Sequence, residues 1–165
     1  MEYSVIFTKK MQATIYDDIR SGNLEKTQKS IINRPELVNA KDERGSTPLI
    51  LATYYNQIEI TKLLLDSGAD INEKDAAGNT PLMGVCFKGF LDLSKLLLTY
   101  GAALNEQNSM GATALIYSAM FNKLEMAQLL LSHGAERKIK DQKGNTALDY
   151  ALAKGYPELI KLLEK

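Results

Sequence analysis

The side chains able to do chemistry are few, and each stands by itself. His133 is the only histidine among 165 residues, so any imidazole base, acid or metal ligand rests on it. It stands one residue before Gly134, where a basic ring satisfies the last carbonyls of a helix. Cys86 is the only cysteine, and it can neither close an internal disulfide nor supply the several ligands a structural zinc needs. It reads as a buried, inert thiol in a reducing compartment. Asp17 and Asp18 are adjacent, and helical neighbours point about 100° apart, so their carboxylates cannot converge on one substrate atom. Cap or solvent roles suit them. No Gly-x-Gly-x-x-Gly, Walker-type or His-Glu-x-x-His pattern occurs. The reading is of no catalytic residue, no metal site and no cofactor.

Charge and hydropathy narrow the partners. Twenty Lys and Arg balance twenty Asp and Glu, for a formal net charge of zero, so no field draws the chain onto a polyanion and nucleic acid is not expected. No stretch approaches the roughly 20 apolar residues of a membrane span. The first ten residues have an acidic second residue, a short apolar run and lysines on the wrong side for a secretory signal. A cytoplasmic location is the expectation, and the length suits one domain.

The positioning elements come from an internal repeat. Lys41-Asp42, Lys74-Asp75 and Lys140-Asp141 fall on a 33-residue spacing, with Gln107-Asn108 in the remaining place. Thr47, Thr80, Thr113 and Thr146 read as helix N-caps. Pro48 and Pro81 follow at the first helical position, with Ala114 and Ala147 in the later units. The column Gly22, Asn56, Gly89, Asn122 and Gly155 ends a first helix. Leu63-Leu64-Leu65, Leu96-Leu97-Leu98 and Leu129-Leu130-Leu131 mark a second helix, stopped by Gly68, Gly101 and Gly134. Gly45, Gly78, Gly111 and Gly144 supply a tight turn before the next threonine. Helices this short hardly form alone, so stacking must stabilise them. Ala52, Ser118, Ala119 and Ala151 permit close approach, and the leucines fill the space between units as a continuous ribbon.

The segments GSTPLILAT, GNTPLMGVC and GATALIYSA resemble the ankyrin-repeat signature, and GADIN and GAALN resemble its loop. The resemblance covers about residues 15 to 165. It implies an all-α fold: a curved ankyrin-repeat solenoid of five helix–turn–helix units with hairpin-like loops. The chain divides into an arm at 1–14, an N-capping repeat at 15–40, full repeats at 41–73, 74–106 and 107–139, and a C-capping repeat at 140–165. Asp17, Asp18, Lys26 and Lys29 at one end, and Asp149, Lys154, Glu158, Lys161, Glu164 and Lys165 at the other, are expected to face solvent. Tyr3 to Phe7 lie outside the repeats and either cover the first unit or stay free as an arm.

Departures from the family pattern carry their own expectations. Ile50, Met83, Ile116 and Asp149 stand where the family has histidine, so a common inter-repeat hydrogen bond is in doubt and apolar packing replaces it in three units. Glu136-Arg137-Lys138 makes one loop more polar. Asn72 and Asn105, each eight residues after a leucine, occupy a place hydroxylated in some animal members, but the favoured role is a bond to the loop backbone.

What the resemblance implies about function is a non-enzymatic module that binds an unidentified protein on its concave face. A permanent structural or regulatory subunit, and a small-molecule binder or enzyme with an unrecognised pocket, remain alternatives. The residues before the first helix's end, and those at the loop tips, are expected to face the concave side. They give the partner-binding set Arg44, Tyr54, Tyr55, Phe87, Lys88, Met110, Met120 and Phe121. Tyr55, Phe87 and Phe121 are the expected anchors, with Arg44 and Lys88 steering. Phe87 and Met120 could instead fold back as core. With both ends capped and no heptad seam, a monomer is expected.

Overall fold

The computed structural model describes residues 15–165, so the arm expected at 1–14, with Tyr3 to Phe7, lies outside the described residues. Residues 15–20 form α1, followed by α2 (Leu24–Asn33) and a 3-10 turn (Pro35–Asn39). Four helix pairs succeed them: α3 (Pro48–Tyr54) with α4 (Ile58–Asp66), α5 (Pro81–Lys88) with α6 (Leu91–Thr99), α7 (Ala114–Met120) with α8 (Leu124–Ser132), and α9 (Ala147–Lys154) with α10 (Pro157–Leu163). No strand occurs among the described residues.

The threonines start the first helices as their chemistry requires. Thr47, Thr80, Thr113 and Thr146 accept from the amides of Ile50, Met83, Ile116 and Asp149 at 3.2 to 3.3 Å, each cap being worth about 1 kcal/mol. Asp149 returns the bond, its Oδ2 accepting from the Thr146 amide at 2.8 Å. These helices end where Asn56, Gly89, Asn122 and Gly155 take positive φ. The second helices lack side-chain caps at Gln57, Phe90, Lys123 and Tyr156, so burial must hold them. Leu64, Leu97 and Leu130 are fully buried, with the flanking leucines of each triplet half-buried.

First helices pack closely along the row α3, α5, α7, α9, while second helices touch their neighbours sparsely. The stack therefore bends with the first helices inside. Its buried core is not one uniform ribbon. Ile15 to Leu64 form one buried group and Leu82 to Leu163 another, bridged by half-buried Leu65 and Ile71.

Polar ladders tie the loops in register. Lys41 Nζ donates to the Lys74 carbonyl, Lys74 Nζ to Gln107, and Gln107 Nε2 to Lys140. Asn72 and Asn105 do bond loop backbone, but across units: their Oδ1 atoms accept from the amides of Ala103 and Glu136 at 2.8 and 3.0 Å. Asparagine bonds of this kind join one loop to the next, while Met83 and Ile116 are buried at the former histidine position, Ile50 is half-buried and Asp149 is exposed. Asp18 departs from expectation, being buried rather than solvent-facing. The α1–α2 turn folds over it, with Ser21 Oγ and the Asn23 amide both donating to its carbonyl.

Candidate partner-binding surface

The inner row carries aromatic rings because the last turn of each first helix faces the bend. Phe87 lies in the last turn of α5 and Phe121 follows α7, and their rings meet edge to face with centroids 4.7 Å apart. Tyr117, one helical turn before Phe121, stacks on it at 6.3 Å and meets Phe87 edge-on at 6.4 Å. Edge-to-face pairs contribute about 0.5–1.5 kcal/mol beyond their area, so the rings hold one another while staying open to solvent. Phe87 is 41% and Phe121 42% exposed. On the neighbouring pair, Tyr54 meets Tyr55 at 5.2 Å, and Lys88 Nζ sits 4.1 Å above the Tyr54 ring. That cation–π contact bridges α3 and α5.

Between α3 and α5 opens a cavity of about 280 Å³. Ile50, Thr53 and Tyr54 line one wall, and Met83, Gly84 and Phe87 the other. Tyr117, Asp75 and Asn79 close the loop end. Asn79 Oδ1 accepts from the Tyr117 hydroxyl at 3.1 Å, which in turn accepts from Asn108 Nδ2 at 3.0 Å. Burial raises the Tyr117 pKa above its ordinary value, opposed by the Asn108 bond, and the nearby Asp75 carboxylate raises it further. The phenol therefore stays neutral and serves as a hydrogen-bonding group.

The reactive candidates sit elsewhere. Cys86 is fully buried and burial pushes its thiol up to about 12, countered in part by the Ser118 and Ser94 hydroxyls. His133 is exposed at the end of α8, with Nδ1 2.9 Å from the Leu129 carbonyl, the capping role its position suggests. Among the described residues no cluster of three or more His, Cys, Asp or Glu could hold a metal, and no helix is long and apolar enough to cross a membrane.

Of the eight residues singled out from sequence, Tyr54, Phe87, Lys88 and Phe121 come together around the cavity and ring cluster. Tyr55 joins only through the edge of Tyr54. Met120 is half-buried against the core, the folded-back alternative, whereas Phe87 stays in the open. Met110 is 57% exposed at a loop tip and Arg44 is exposed at another. Neither lines the cavity. Sequence reading passed over Tyr117, although its place four residues before Phe121 put both rings on one helix face.

The inner row thus presents an aromatic cluster beside a cavity closed by hydrogen-bonded Asn79, Tyr117 and Asn108. A sequence profile described as ankyrin repeats (3 copies) matches residues 15–108 and again 82–165. The chain belongs to the ankyrin-repeat family. Ankyrin repeats are generally protein–protein interaction modules, which accords with an open, aromatic inner surface. A human relative, the DNA-binding protein RFXANK, is 39% identical over 57 residues, covering 34% of this chain and 22% of that protein. The ankyrin-repeat chain thus spans less than a quarter of that relative's length.

Proposed function

We propose that this chain is a non-enzymatic ankyrin-repeat module that captures a partner protein on its concave face, acting as a cytoplasmic monomer. The observation that carries the reading is the run of half-exposed rings at Tyr54, Phe87, Tyr117 and Phe121 beside an open cavity on the inner row. A solvated surface favours polar side chains, whereas interface hot spots favour aromatics surrounded by charge. Tyr55, Met110 and Met120 extend the apolar area, with Lys88 and Arg44 orienting the partner at the rim.

The relative's printed name attaches DNA binding to that whole protein. Nothing in this chain favours that activity, since its formal charges balance and the cavity wall is apolar apart from Asp75, Asn79, Tyr117 and two threonines. A mobility-shift titration with duplex DNA is expected to show no complex. The direct test is capture from native extract with the whole chain and with Y55A/F87A/F121A, followed by affinity measurement on the captured partner. Each replacement weakens binding by about 1–4 kcal/mol, with the fold retained. Unchanged affinity in the folded triple variant places the site elsewhere. A partner that co-purifies stoichiometrically through every step would favour the permanent-subunit reading.

A further inference from the structure

The cavity has an internal template. In the last two helix pairs, the residue nine positions after the loop Asp or Asn is a tyrosine, which lies in the inner groove and reaches back to that loop. The Tyr150 hydroxyl donates to Asp141 Oδ2, and the Tyr117 hydroxyl meets Asn108 Nδ2 at 3.0 Å. The residue nine positions after Asp75 is Gly84, and there the groove stays open. Leu51 fills the matching position after Asp42 and is half-buried. Among the four pairs α3–α4 to α9–α10, only that of α5 and α6 therefore brings no side chain to this place.

The surroundings match what a phenol would meet. Tyr117 packs on Phe87, in the last turn of the preceding first helix. A ring in the Gly84 space would pack on Tyr54, which ends α3 and lines the cavity. At the loop end, Asp75 Oδ1 already accepts from the Ala77 and Asn79 amides at 2.9 and 2.8 Å. Its Oδ2 has only a 3.4 Å contact with Asn79 Nδ2, leaving capacity for a donor, the role Asp141 Oδ2 plays for Tyr150. At the rim, Lys88 lies over Tyr54.

We propose that the cavity between α3 and α5 is a socket for a tyrosine side chain of the partner protein, its ring against Tyr54 and Gly84 and its hydroxyl donating to Asp75. This deepens the concave-face reading and rests on it. The partner completes with its own phenol the inner aromatic row that the chain completes for itself at Tyr117 and Tyr150. A carboxylate at the bottom selects a neutral donor and rejects a phosphate ester, because like charges repel in a partly desolvated groove.

The test uses the whole chain and N-acetyl-tyrosinamide as probe, read by amide chemical shifts. Saturable shifts are expected at Thr53, Ala77 and Gly84. The phenylalanine and O-methyltyrosine analogues should bind about tenfold more weakly, as a donor to a charged acceptor predicts, and the phosphotyrosine analogue should not bind. Gly84→Tyr is designed to fill the socket from within, its Cβ meeting nothing within 4 Å. It should abolish the shifts and raise the melting temperature. Asp75→Asn keeps the turn, as Asn108 does with the amides of Met110 and Ala112, and should erase the preference for the free phenol over its methyl ether. Equal binding of the tyrosine and phenylalanine probes, tighter binding of the phosphorylated one, or shifts that persist in Gly84→Tyr would overturn the socket. The broader reading fails differently: a partner whose affinity drops in F121A but not in G84Y sinks the socket alone, and one indifferent to Y55A/F87A/F121A sinks the concave face.

Discussion

Gly78 and Gly144 hold the same turn position with nearly the same backbone, at φ of 79° and 80°, yet a methyl group on each would meet different surroundings. A Cβ on Gly78 would lie 2.7 Å from the Ser109 amide nitrogen, while one on Gly144 meets nothing within 4 Å. Left-handed backbone costs alanine about 1–2 kcal/mol, offset by about 0.4–1 kcal/mol from a stiffer unfolded chain. Gly144→Ala should therefore lose about 1 kcal/mol. At Gly78 the Ser109 backbone must also move, and its N–H holds the loops together by donating to the Ala77 carbonyl at 3.1 Å. Overpacking of this kind adds about 1–3 kcal/mol, for a total of about 2–4 kcal/mol. At about 2–4 °C per kcal/mol for a chain of this size, the melting temperature followed by circular dichroism should fall about 2–4 °C in Gly144→Ala and about 4–16 °C in Gly78→Ala. Gly45→Ala and Gly111→Ala should side with Gly78, because their Cβ atoms would come within 2.9 and 2.8 Å of the next loop's amide nitrogen. Equal losses at Gly78 and Gly144 would refute loop-to-loop contact as the reason for glycine in this column.

Three further outcomes are expected. The rise of the Cys86 thiol from 9.0 to about 12 cuts its thiolate population about a thousandfold, so Ellman's reagent should label the native chain far more slowly than the urea-unfolded one; comparable rates would contradict the buried site. Glu73 is held low by its Lys41 hydrogen bond, and Asp149 by the Thr146 amide and hydroxyl. Asp141 is also low: burial pushes it up, but Tyr150 and the Asn145 and Lys143 amides outweigh that. Depressed carboxylates stabilise above their unfolded pKa and lose that stability as pH falls through the folded one, whereas raised groups such as Cys86 stabilise below theirs and lose it as pH rises. Urea midpoints should therefore be flat between about pH 4.5 and 9 and decline on both sides; a slope near neutrality would show that another group controls stability. Light scattering should give the mass of one chain, and deleting residues 1–9 should lower the melting temperature if that segment covers the first unit; a micromolar dimer or an unchanged melt would count against these expectations.

The periodic features were legible in the sequence because each has a local cause. A threonine caps whichever helix follows it, a proline fits the first helical position anywhere, and glycine or asparagine tolerates left-handed backbone in any fold. Summed over a 33-residue period, such signals define the helix pairs, their order and the family resemblance. The rim aromatics were legible too, since Tyr54, Phe87 and Phe121 precede or occupy a helix end in every alignment of the repeat. The folded chain decided what depends on spacing between units. Asp18 became buried because a turn closed over it, and Met120 turned inward while Phe87, at the corresponding end of its helix, stayed open. Asn72 and Asn105 bond the next unit's loop and not their own, a choice invisible in one repeat. Gly84 reads in sequence as one small residue in a helix; only the packing of α3 against α5, with Tyr117 and Asp75 at its margin, makes its missing side chain a cavity. Such effects arise from what neighbours leave unfilled, and residue types along the chain do not encode that distance.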